Sequence, residues 1–155
     1  MRIPRIAGLL LAWGFAFVAA AHPALENPRA EAGSSYRAAI RITHGCSGSP
    51  VREVIVQIPE GVRGAKPMPK PGWQVAIEPG AIRWSGGRIE NGYFDEFVLL
   101  AQLPSTPGTV YWKVSQVCEQ GRIDWFDTAR DAKAPAAALE VLPGTAPAGH
   151  AEHKH

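Results

Sequence analysis

The sequence predicts an all-β fold, an antiparallel sandwich. Apolar and polar residues alternate in several short segments, the period of strands with one buried face. Proline and glycine punctuate these segments, with 14 Pro and 16 Gly among 155 residues. No stretch carries a convincing 3.6-residue apolar stripe. About eight short strands parted by such turns suit a sandwich, and the same pattern also allows a small barrel.

In chain order, Tyr36, Ala38, Ile40 and Ile42 alternate with Arg37, Ala39, Arg41 and Thr43 to give the first strand. Val54, Val56 and Ile58 alternate with Glu53, Ile55 and Gln57 in the second. Residues 61–72 contain Pro67, Pro69 and Pro71. Proline cannot donate to a ladder, so this stretch reads as a loop or edge connection. Residues 73–77 and 82–84 read as short strands parted by Pro79-Gly80, and Ser85-Gly86-Gly87 reads as a turn. Residues 94–100 form a strongly apolar strand and 104–108 a turn. Val110, Trp112 and Val114 share one face of the next strand, which Gln116 and Cys118 continue. Residues 123–126 and 138–142 complete the set. Residues 127–138 leave room for a helical turn that Pro135 keeps short. Trp73, Trp84 and Trp112 are assigned to the core.

The start of the chain is different in kind. Arg2 and Arg5 flank the beginning of an uncharged apolar run over residues 6–18, and Ala19-Ala20-Ala21 supplies the small residues a signal peptidase needs. This predicts a cleaved secretory signal over residues 1–21. The apolar run is short for the ~20 residues of a membrane anchor. The domain then covers residues 22–142. Residues 143–155, with His150, His153 and His155, form a flexible tail that offers a weak auxiliary metal site. Removing the signal takes two arginines with it and leaves basic and acidic side chains in balance. Charge-driven recruitment to nucleic acid or anionic lipid is thereby unsupported. The expected location is extracytoplasmic, across the inner membrane in the periplasm, with no membrane anchor after processing. In that oxidising setting Cys46 and Cys118 are expected to pair. The bond would close a loop of about 72 residues and contribute about 4 kcal/mol. A pair of soft metal ligands is the alternative.

Cleavage after Ala21 would make His22 the first residue. An amino-terminal histidine chelates through its α-amine and its ring Nδ1. The amine's ordinary pKa is near 8, so a metal displaces its proton readily. Amine and imidazole nitrogens suit copper(II), which favours a tetragonal N/O set and binds most tightly among the divalent first-row ions. Pro23 has no amide N–H to ionise, which removes a peptide nitrogen from the ligand set and leaves the amine–imidazole bite.

Further motifs run in a fixed order. They are His22-Pro-Ala-Leu-Glu-Asn-Pro, Ala32-Gly33-Ser34-Ser35-Tyr36, and Ser49-Pro50 leading into Val54-Ile55-Val56-Gln57-Ile58-Pro59-Glu60-Gly61-Val62. Lys66-Pro67 to Pro71-Gly72-Trp73, Ile82-Arg83-Trp84-Ser85-Gly86-Gly87, Asp95-Glu96-Phe97-Val98, and Gln116-Val117-Cys118 to Trp125 follow. Over residues 22–126 the chain resembles the YcnI-like copper-binding domain family. The resemblance implies an exported immunoglobulin- or fibronectin-III-like sandwich. It further implies copper(II) held by a single-histidine brace, with a carboxylate ligand and a tryptophan nearby. The implied role is copper handling, with a membrane copper transporter or another copper chaperone as partner.

Carried over by position, His22 supplies the brace and Trp125 the nearby tryptophan. Many members have Pro-Asn-Glu after the first long strand, where this chain has Thr43-His44-Gly45-Cys46. His44 is therefore expected to replace the missing glutamate as a third ligand, against the alternative that it only hydrogen-bonds within a turn. Glu96 on its apolar strand is the carboxylate candidate, with Glu26 and Glu31 as others. Trp125 would shield the ion or offer it a π-face. Gln116 is a candidate for orienting a ligand ring.

Three functions compete: a copper-binding module working by reversible coordination, a copper-dependent oxygenase of the lytic-monooxygenase kind, and a metal-free interaction domain. The sequence has no phosphate-binding glycine loop, Cys-x-x-Cys, His-Glu-x-x-His or Gly-x-Ser-x-Gly. Ser47 and Ser49 near His44 lack a third member for nucleophilic catalysis. The first function is preferred, and it is not an enzyme.

Overall fold

The computed structural model describes residues 22–129 and 131–144. The signal over residues 1–21 lies outside the described residues, as does all of the tail beyond residue 144. Among the described residues there are twelve strands: β1 (Ala24–Leu25), β2 (Arg29–Glu31), β3 (Ser35–Ile42), β4 (Val51–Gln57), β5 (Arg63–Pro67), β6 (Gln74–Glu78), β7 (Ala81–Ile89), β8 (Asp95–Gln102), β9 (Gly108–Trp112), β10 (Val114–Cys118), β11 (Arg122–Trp125) and β12 (Ala137–Leu142). No described helix is long and apolar enough to cross a membrane.

The strands form three sheets, ordered β1-β3-β8-β5, β11-β10-β4-β7-β6 and β2-β12-β9. Pairing is antiparallel throughout except between β12 and β2. The alternation in β3 buries Tyr36, Ala38, Ile40 and Ile42, and that in β4 buries Val54 and Val56. They share one core with Ile82, Trp84, Phe97, Leu99 and Leu139. Trp84 and Trp112 are fully buried, and their indole N–H groups have no partner among the described residues. Open sheets with distinct edge strands make this a sandwich and not a barrel.

Several elements differ from the sequence expectation. Ser85-Gly86-Gly87 is not a turn. β7 runs through it, and the register against β4 shifts between Val51 and Glu53. The reason is packing, because Trp73 lies where a Cβ at Gly87 would be. Trp73 then meets Phe97 edge-on at 5.0 Å between ring centroids. The proline-rich connection contributes β5, an edge strand on β8, with Pro67 at its end. Residues 110–118 are two strands, because the chain changes sheets at Lys113. The described part of 127–138 forms no helix. It folds back on itself, pairing Asp127 with Pro135 in an isolated parallel bridge. β1 and β2, only two and three residues long, carry too little pattern to be read from sequence.

Candidate metal centre

Of the expected site residues, His22 precedes β1 and Trp125 lies on β11, both edge strands, whereas His44 follows β3, Glu96 lies on β8 and Gln116 on β10, all interior strands. β1 is the edge of the four-stranded sheet and β11 the edge of the five-stranded sheet. β1 pairs with β3 through Ala24 with Arg41 and Leu25 with Ile40. That register runs out toward His22 before β1 and toward Thr43 and His44 after β3.

His44 is half-buried. Its Nδ1 lies 2.6 Å from the Gly45 carbonyl oxygen. An N–H donated there leaves the ring lone pair on Nε2. The turn after it is tight: Cys46 and Ser49 exchange backbone bonds of 3.1 and 2.9 Å. A Cβ at Gly45 would overlap the Ser49 carbonyl, so only glycine fits. Cys46 is bonded to Cys118 with a Cα separation of 5.9 Å, which settles the cysteines as a disulfide and not metal ligands. Ser49 is occupied structurally, its hydroxyl accepting the Gln120 N–H at 2.8 Å.

Trp125 is buried and packs its ring edge-on against His44, with centroids 6.1 Å apart. Unlike the two core tryptophans it has a polar partner, Gln116 Oε1, which accepts the indole N–H at 3.1 Å. Gln116 Nε2 in turn donates to the backbone carbonyl of His44. Gln116 itself is 1% exposed on β10. One buried amide thus ties the β11 tryptophan to the loop that carries His44. Gln116 touches His44 through the backbone, not through the imidazole. Asp124, beside Trp125, is committed elsewhere. Burial acts to raise its carboxyl, but hydrogen bonds from Ser115 and Arg122 outweigh it and hold the group below its ordinary value.

His22 lines a cleft of about 780 Å³ between β1 and the 127–138 segment. Asp127, Ala136, Ala138, Tyr111 and Glu140 also line it. His44 and Trp125 are not among its walls, and no described contact joins His22 to His44. Glu96 stands apart from this cleft. It faces Arg41 across the β3–β8 pair, and Arg41 donates to it at 2.9 and 3.2 Å. Glu26 pairs with Arg37 at 2.7 Å. Glu31 closes β2, which pairs with the far end of β12. Among the described residues no three of His, Cys, Asp and Glu converge as a metal cluster. A brace needs fewer residues, because one histidine gives two donors. Asp127, bridged to Pro135, was not a candidate from sequence, since only the folded chain places it in the lining of the cleft that His22 shares.

The domain of unknown function DUF1775 matches residues 22–82 and 78–141 of this sequence. The chain belongs to the DUF1775 family. The family match begins at His22, the residue on which the candidate centre is built. One relative of this DUF1775 chain is the copper-binding protein CutI of Bacillus subtilis (strain 168). It is 26% identical over 139 residues, covering 85% of this chain and 67% of CutI. Among solved structures, an uncharacterized Nocardia farcinica protein with an immunoglobulin-like fold matches with a TM-score of 0.67. It is 22% identical, and the match covers 78% of this chain and 98% of that one. The Reelin-N domain of F-spondin matches with a TM-score of 0.53 at 16% identity, covering 78% and 85%. These likenesses establish the immunoglobulin-like sandwich.

Proposed function

We propose that this DUF1775 chain is an exported copper(II)-binding protein of copper trafficking, acting by reversible coordination and not by catalysis. The observation that carries the reading is the relative named as copper-binding, which aligns over most of this chain. Processing after Ala21 frees the His22 amine, and the amine and ring Nδ1 form the brace. Copper(II) favours such nitrogen donors in a tetragonal set. His44 adds a third nitrogen through Nε2, the position that an Nδ1–H donated to Gly45 leaves with the lone pair. Trp125 packs against the His44 ring and shields that side from water. Gln116 fixes both. The cargo is exchanged with a membrane copper transporter or another copper chaperone in the periplasm.

The test is metal quantification with EPR on the chain beginning at His22, compared with the same chain carrying an extra methionine in front. One tight copper(II) per processed chain, lost on extension, is the expected result. Equal binding by both samples rules out the brace. Amino-terminal sequencing of exported protein must also begin at His22; any other start removes the chelate.

A further inference from the structure

We infer that Asp127 supplies a carboxylate oxygen to the copper site; this rests on the His22 brace proposed above. Three neutral nitrogens leave the ion's double charge uncompensated, and a nearby carboxylate offsets part of it while completing an N/O set. Glu140, which also lines the cleft, is already held by Arg29, and outside the cleft Glu26 is held by Arg37, Glu96 by Arg41 and Asp124 by Arg122. Asp127 shares the cleft with His22. It makes no ion pair or side-chain hydrogen bond among the described residues.

Its backbone is nevertheless fixed. The Asp127 N–H donates to Ala134 at 3.0 Å, and its carbonyl accepts from Ala136 at 2.7 Å. The bridge to Pro135 therefore holds Asp127 just after Trp125, in the lining of the cleft it shares with His22. The side chain is exposed, so its carboxylate can turn toward an ion on His22 without disturbing the core. An anchored backbone with a free carboxylate suits a ligand that closes on the metal and lets it go.

The experiment uses the processed chain as wild type, Asp127→Asn, Asp127→Glu and, as a charge control in the same loop, Asp131→Asn. Copper(II) affinity is read by competition with a chromophoric chelator, and the coordination sphere by EPR. Ligand-orienting groups around metal sites are worth about 10–100-fold in affinity, so losing a ligand should cost at least about tenfold. Asp127→Asn is expected to show that loss with altered parallel g and hyperfine values. Asp127→Glu should recover part of it, and Asp131→Asn should match wild type. Tight wild-type binding with an unchanged Asp127→Asn overturns this assignment alone. A wild-type chain that binds no copper tightly overturns the brace and this assignment together.

Discussion

Replacing Gln116 with leucine tests the link between Trp125 and the His44 loop. The side chain is 1% exposed and makes two hydrogen bonds, one from the Trp125 indole and one to the His44 carbonyl. Leucine keeps roughly the volume and makes neither. The buried indole N–H then loses its partner at a cost of about 1–3 kcal/mol, and the partly buried carbonyl adds about 1 kcal/mol. Gln116→Leu is therefore expected to lower stability by about 2–4 kcal/mol. Trp125→Phe strands the amide oxygen instead and costs about 1–3 kcal/mol plus lost packing. The double variant has neither the indole nor the amide, so its loss should fall short of the sum by about 1–2 kcal/mol. Urea unfolding followed by far-ultraviolet circular dichroism, with the disulfide intact, measures all four corners of the cycle. Additivity within about 0.5 kcal/mol would mean that the two residues are not coupled and that the link is wrong.

Removing the disulfide with Cys46→Ala and Cys118→Ala together releases a 72-residue loop. Stability should fall by about 4 kcal/mol, and a drop in urea midpoint worth less than about 1 kcal/mol contradicts the loop-closure account. Tyr36 is buried, and its hydroxyl donates to the Asn27 carbonyl at 2.6 Å. Burial first, then the Glu26 carboxylate, pushes this phenol from 10.0 up to about 12. Because it ionises more easily when unfolded, its contribution is fully present below pH 10.0 and is lost as pH rises through about 12. Tyr36→Phe should cost about 0.5–1.5 kcal/mol at neutral pH and should flatten the alkaline decline. An equally steep decline in the variant assigns it to other groups.

Much of the fold was legible because burial imposes a period of two. β3, β4 and β8 sit close to where alternation or apolar runs place them, and Cys46 pairs with Cys118 as expected from sequence. What misled was local chemistry overruled by packing. Ser85-Gly86-Gly87 has turn composition, yet the ring of Trp73 needs the space that a glycine leaves inside a strand. Trp125 and Gln116 were legible as candidates, but not their bond, because residues nine apart on adjacent strands meet only after the ladder fixes their register.

The sequence by itself determined the class of fold and favoured pairing of the two cysteines. These follow from local facts: alternation and cysteine parity. Only the tertiary structure decided which side chains keep company. It gave Glu96 to Arg41, set Trp125 on His44 and brought Asp127 into the cleft of His22. Those pairings join segments far apart in the chain, and their distances are set by sheet order and edge position, which residue spacing does not encode.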